Sequence, residues 1–223
     1  FNTQQEYKRK SIDLAYQLVN EEYFDLIKSL FYFSEGNNLF FHLQVIRRGK
    51  DHPNLPAANR TIMTYYVQSA EHLEKIKDEV IGLCEMYGAR AYINVTTKAM
   101  ADLGKLALFR LSERVYNGDF KKIYKIFNSA AGELKGISSR FLIDIDDHYS
   151  RYEVLNWLDH YFETSSDNRH YLFAEVPTKN GVHLITNPFN LESFKFGFPN
   201  IDVHKNNPTI LYIPKSLDNG NSN

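Results

Sequence analysis

Apolar residues recur along this chain at two spacings, every three to four positions and every second position, and the switches between them fall at turn-forming residues. Between Gln4 and Leu30 the three-residue steps Ile12, Ala15, Leu18 and Phe24, Ile27, Leu30 predict one or two helices forming a packing arm. Leu39 to Arg47, aromatic and β-branched, reads as a strand after the loop Ser34–Asn38. A second strand is expected at Thr61 to Val67. A helix follows over Ala70 to Tyr87, where Leu73, Ile76, Val80, Leu83 and Tyr87 line one side and Gly88 stands at the C-terminal cap position. Arg90 to Val95 is a third strand, and the β-α-β order predicts a parallel crossover. Thr97 is expected to cap a helix through Leu111, and Asp119 to open another through Asn128.

The second half changes rhythm. Phe141, Ile143 and Ile145 alternate with Leu142, Asp144 and Asp146 in one strand; a helix runs from Arg151 to Phe162, entered through a Ser150-x-x-Glu153 capping box. Its apolar set, Leu155, Trp157, Leu158 and Phe162, places Trp157 in the core. Strands are expected at His170–Val176 and Val182–Thr186, joined by the turn Pro177–Gly181, then a short helical turn at Leu191–Phe194, and last strands at Asn200–His204 and Ile210–Pro214. The expected fold is therefore α+β. An N-terminal helical and α/β module, residues 1 to 138, packs on an RRM-like or ferredoxin-like palm with a mixed sheet, residues 139 to 217, and a polar tail, 218 to 223, frays.

Composition narrows the class without choosing a function. Of 223 residues, 43% are hydrophobic and 14% aromatic, which argues for a packed globular chain. With 26 basic against 27 acidic residues there is no overall positive field, so a nucleic-acid partner needs a local patch. Two stretches supply cations: the loop Arg47–Pro56, a candidate phosphate-contacting lobe, and the helices carrying Lys105, Arg110, Arg114, Lys121, Lys122 and Lys125. The lone Cys84 excludes an intramolecular disulfide and a multi-thiolate zinc site, and its helical context makes it a small buried hydrophobe. No apolar run approaches the roughly 20 residues that span a bilayer, so a cytoplasmic protein with no membrane partner is expected.

Candidate chemistry begins at Asp144 and Asp146, two carboxylates on one face of an apolar strand. Like charges so close require solvent, cations or a divalent metal, and Mg²⁺ takes one or two carboxylates completed by water and phosphate oxygens. A second group lies in Thr178-Lys179-Asn180-Gly181-Val182-His183. There Gly181 would let backbone amides approach an anion, Lys179 adds a point charge, and His183 can donate to a triphosphate oxygen. A third acid, Asp202, comes from Asn200-Ile-Asp-Val-His204. Three acids and one histidine from separate strands form the minimum set for two-metal nucleotidyl transfer.

In this order and spacing the three segments resemble the archaeo-eukaryotic primase superfamily, especially its primase-polymerase branch. The shared pattern is an Asp-x-Asp strand, a Gly-containing turn running into a strand-borne His, and a later hydrophobic-Asp strand followed by an apolar strand ending in Pro. The resemblance implies Mg²⁺ or Mn²⁺ on Asp144, Asp146 and Asp202, and His183 on the phosphates of the incoming nucleotide with Thr178, Lys179, Asn180, Gly181 and His204 around it. Its implied partners are nucleoside triphosphates, a single-stranded DNA template and a replicative helicase or other replisome protein. The chain departs from the pattern at Lys179-Asn180, where Ser and Gly are frequent, and at His204, where Arg is common. Two other functions compete. One is a catalytically inactive module that stacks single strands on Phe40, Tyr65, Tyr171 or Phe173; the other is a two-histidine phosphoesterase built on His42 and His183.

Overall fold

The computed structural model describes residues 22–30, 38–54, 58–146, 148–164, 171–178 and 181–218. The segment before Glu22, Lys179, Asn180 and the tail beyond Asp218 lie outside them. The fold is α+β, with two antiparallel sheets.

The first sheet contains β1 (Leu39–Arg47), β2 (Arg60–Val67), β3 (Arg90–Asn94) and β9 (Pro208–Tyr212) in the order β2-β1-β3-β9, with a short β4 (Lys98–Ala99) beside the start of β1. β2 and β3 are each antiparallel to β1 between them and hence parallel to one another, so α2 (Ala70–Tyr87) makes the expected crossover with one strand interposed. Ser69 caps α2 by accepting from the His72 amide at 3.0 Å. Gly88 ends it in the left-handed region at φ 54°, where a Cβ would lie 2.7 Å from the His52 ring. Both conformation and space therefore require glycine there.

Two helix starts differ from expectation. Thr97 caps nothing, because Lys98–Ala99 pairs with Leu39–Phe40 and α3 begins only at Met100, running to Tyr116. Lys98 is buried and donates to the Ala131 carbonyl at 2.6 Å, an interaction no spacing rule announces. Asp119 holds a turn through the Lys121 amide, and the helix after it, α4, spans Ile126–Glu133 behind one 3-10 turn at Ile123–Lys125.

The second sheet is β6 (Leu172–Pro177), β7 (Val182–Thr186), β5 (Phe141–Ile145) and β8 (Asp202–Lys205), in that order, with α5 (His148–Thr164) after β5 and α6 (Leu191–Gly197) before β8. This β-α-β-β-α-β unit has the ferredoxin-like arrangement, with a full second helix where only a turn is expected. Its pairings are all antiparallel, so the mixed sheet is not formed. Ser150 lies inside α5, which starts two residues earlier, so the capping box is not used. The last strand leaves the palm: β9 pairs with β3 and ties the end of the chain into the first sheet.

Burial follows from alternation. Phe141, Ile143 and Ile145 face α5 and α6 and pack with Val154, Leu158, Phe162, Leu184 and Phe194, while Trp157 stacks on Tyr161 at the margin of that cluster. The opposite palm face sends Leu142, Ala174, Val176 and Ile185 into one core with Leu43, Leu73, Val80, Ile93 and Leu211 of the first module. Each such side chain contributes about 1.5–3 kcal/mol when fully buried. The two sheets thus share a core, reinforced where Tyr23 of α1 (Glu22–Leu30) donates to the Pro177 carbonyl at 2.6 Å. On the far face of β1, Phe40, Leu103, Ala130 and Ala131 seat α3 and α4. Cys84 is buried, with its thiol pushed up to about 12 by desolvation. No helix among the described residues is long and apolar enough to cross a membrane.

His42 shares the Phe40 face of β1, 2% exposed, stacked on Tyr66, with no partner at Nε2. Desolvation and then the nearby Lys98 charge lower its pKa to about 4, against a hydrogen bond to Asn94 that favours the protonated ring. Between pH 6.5 and about 4 the unfolded chain binds a proton that the folded chain does not, so stability falls as pH falls through that window. His42→Phe keeps the packing and removes this linkage. Denaturant midpoints measured at pH 7 and pH 4.5 are therefore expected to differ less for His42→Phe than for the parent; an equal difference would remove His42 as the cause.

Candidate active site

The site grows from the alternation of β5. With Phe141, Ile143 and Ile145 turned under the helices, Leu142 and Asp144 must face the other way. In register, Asp144 stands opposite His183 of β7 on one side and opposite Asp202 of β8 on the other. Directly opposed residues share a face with Cβ atoms about 5 Å apart. His183, Asp144 and Asp202 therefore form one row across three neighbouring strands. One step back the row is Ile185, Leu142 and His204, apolar except at its edge. Asp146 lies just beyond the end of β5 and is exposed.

His183 is held from both sides. Its Nε2 is 3.4 Å from Asp144 Oδ1 and its Nδ1 is 3.0 Å from Thr209 Oγ1 on β9, with only 13% of the side chain exposed. Thr209 reaches it because β9 belongs to the first sheet, so the histidine is oriented by the other module. The Asp144 carboxyl lies below its ordinary range, first through the hydrogen bond from His183, then through the charges of His183, His204 and Lys50, with burial opposing. It is ionised at neutral pH.

Lys50 comes from a one-turn 3-10 helix, Gly49–Asp51, directly after β1. That loop is fixed: Asp51 pairs with Arg90 at 2.7 Å, Arg48 donates to the Tyr92 hydroxyl at 3.2 Å, and His52 Nε2 lies 2.7 Å from the Gly88 carbonyl. The basic loop read from the sequence thus has one cation near the acids and one spent on structure.

Asp202 is 75% exposed, and Lys195 Nζ stands 4.0 Å from its Oδ1 while donating to the Ile201 carbonyl at 2.6 Å. Lys195, Thr209 and Lys98 are the residues that sequence reasoning missed. Only Thr209 left a signal, a small polar side chain inside the otherwise apolar and aromatic strand Pro208–Tyr212.

The turn before His183 differs from expectation. The Thr178 amide donates to the Gly181 carbonyl at 2.8 Å, and the Gly181 amide donates to Thr178 Oγ1 at 3.1 Å. The Gly181 amide is therefore consumed by its own turn and is not an open anion donor. Lys179 and Asn180 lie outside the described residues. Among the described residues no three His, Cys, Asp or Glu side chains converge closely enough to hold a metal ion. The donor chemistry nevertheless suits a hard cation: Asp144 is ionised, Asp202 is its cross-strand neighbour, and Asp146 follows just past the end of the strand. Asp146 and Asp202 are exposed and able to reorient.

His42 does not join this site. Leu43 opposes Ile93, and Ile93 opposes Thr209, so Thr209 and its partner His183 lie on the Leu43 face of the first sheet, while His42 is on the other. A two-histidine phosphoesterase site is not assembled. No family model, curated protein or solved structure matches this chain.

Proposed function

We propose that this chain is a metal-dependent nucleotidyltransferase of the primase or primase-polymerase type, which extends a strand from nucleoside triphosphates on a single-stranded template. The observation that carries the reading is the row His183–Asp144–Asp202, contributed by three adjacent strands of a ferredoxin-like sheet on the face turned toward the first module. In this reading Asp144, Asp146 and Asp202 hold Mg²⁺ or Mn²⁺. When bound, such ions neutralise phosphate charge and favour ionisation of an attacking hydroxyl. His183, steadied at Nδ1 by Thr209, shares its Nε2 hydrogen with Asp144 and would turn that hydrogen to a phosphate oxygen once the carboxylate engages a cation, and the charge of Lys50 draws a polyanion to the same face.

The alternative, an inactive module that binds single strands by stacking, loses most of its platforms. Phe40 is fully buried, Tyr171 is stacked on Phe162 with centroids 4.8 Å apart, and the Arg140 guanidinium covers Phe173 at 3.1 Å. The deciding experiment is incorporation of labelled nucleotides on a primed and an unprimed single-stranded template. Incorporation that requires Mg²⁺ or Mn²⁺ is expected. Strand binding without any incorporation on either template would instead select the alternative.

A further inference from the structure

The helical hairpin α3–α4 stands on the opposite face of the first sheet from the row of acids, since it packs on Phe40. Its outer surface has two properties together. Large apolar side chains point into solvent, among them Phe109, Phe120 and Phe127, with Tyr116 at 89% and Tyr124 at 78% exposure. Cations are interleaved with them. From Met100 to Glu133 the basic residues are Lys105, Arg110, Arg114, Lys121, Lys122 and Lys125 against Asp102, Glu113, Asp119 and Glu133, a net charge of +2 in a chain whose total is −1.

The cations are not evenly used. Arg110 is held by Glu113 and Glu133, and Arg114 by Asp119 at 3.5 Å and the Lys121 carbonyl at 2.6 Å. Lys121, Lys122 and Lys125 make no ion pair among the described residues. Arg110, Arg114, Lys122 and Lys125 line a cleft of about 130 Å³ with Ile126, Ser129 and a single acid, Glu133. In this measure one water needs about 10–15 Å³, so the cleft has room for a phosphate group. Two of its cations also lie against rings, Arg110 over Phe109 at 5.8 Å and Lys125 over Tyr124 at 5.7 Å.

We infer that the α3–α4 surface is a second binding site for single-stranded nucleic acid, with a backbone phosphate in the four-cation cleft and bases stacked on the exposed rings. Rings with cations between them suit a flexible polyanion that carries flat, apolar bases. A protein partner would need the same rings but not a phosphate-sized cleft with four cations and one acid. The inference takes its ligand class from the proposed function, and its position away from the acids makes it a contact that retains the strand rather than one that touches reacting atoms.

The test is fluorescence anisotropy of a labelled oligothymidylate strand on the whole chain with a chelator present, so that neither metal nor nucleotide enters. Lys121→Ala/Lys122→Ala/Lys125→Ala is expected to weaken binding at least about tenfold and to reduce the log–log salt slope by about 2, at roughly 0.7 per lost phosphate contact. Tyr116→Ala/Tyr124→Ala is expected to weaken binding about tenfold with the salt slope kept. Lys75→Ala/Lys215→Ala, exposed cations elsewhere, serves as the charge control and leaves affinity unchanged. Wild-type binding by the triple-lysine variant, or no strand binding by the parent chain, overturns the inference. So does sedimentation showing that the tyrosine variant dissociates a dimer with strand binding intact, which would make the surface a protein interface. A chain that fails to incorporate nucleotides yet shows both losses of affinity sustains this site while refuting the proposed activity.

Discussion

Asp144→Asn is expected to lower metal-dependent nucleotide incorporation by at least about a hundredfold, the scale on which removing one preorganised charged group at a reacting centre acts. The same substitution should change the free energy of unfolding by less than about 1 kcal/mol, because two local effects oppose each other. Asp144 gains from His183, 3.4 Å away, and loses from the partial burial of its own charge. Asparagine keeps the volume and a hydrogen-bond acceptor while removing both charge effects. The pH dependence gives an independent check. A carboxyl whose folded pKa is depressed contributes stability above the ordinary carboxylate range and loses it as pH falls through the lower, folded value. The parent chain should therefore lose this contribution in acid and Asp144→Asn should not. Steady-state incorporation and urea titrations on the two proteins read out both quantities. An Asp144→Asn protein that extends primers at the parental rate would end the nucleotidyltransferase reading.

The elements readable from the sequence are those whose local signals and tertiary packing agree. Helix α2 runs between the same two residues in structure as in periodicity, because the apolar stripe and Gly88 read from the sequence agree with the Ser69 cap found in the structure. Strands β1 and β7 are likewise where alternation puts them. The failures occur where pairing with a distant partner overrides a local cue. Thr97 looks like a cap, but β1 captures Lys98–Ala99 and delays the helix. The final apolar run looks like one more palm strand, but the free edge of β3 takes it, and no local residue encodes that choice. For the site, period-two alternation already put Asp144 and Asp146 on one face. It could not show that Asp202 stands opposite Asp144, since register between strands far apart in sequence is set by the whole sheet. Nor could it supply Thr209, which reaches His183 only because β9 crosses to the other module.

Gly181→Ala is expected to destabilise the chain by about 3 kcal/mol, the upper end of overpacking costs, and to abolish incorporation as well. The cause is steric rather than conformational. A Cβ on residue 181 would overlap the carbonyl oxygen of Ile145 and lie 2.8 Å from the Asp146 Cα, both backbone atoms that no rotamer change can move. β7 begins at the next residue, and Val182 pairs with Ile145, so the added methyl pushes on the point where the turn meets the acid-bearing strand. Relief requires either opening the Thr178–Gly181 turn, with loss of its reciprocal bonds at 2.8 and 3.1 Å, or displacing Ile145 and Asp146, the two residues that follow Asp144 in the chain. Either movement shifts His183, two residues on, relative to Asp144. A neighbouring change separates the two costs: Thr178→Val removes the hydroxyl that accepts from the Gly181 amide but adds nothing against Ile145. It should cost about 1 kcal/mol, the ordinary worth of one such bond, and leave most of the activity. Equal losses of stability from the two substitutions, measured by urea titration, would show that the turn's bonds rather than the close approach of the two backbones hold this corner together.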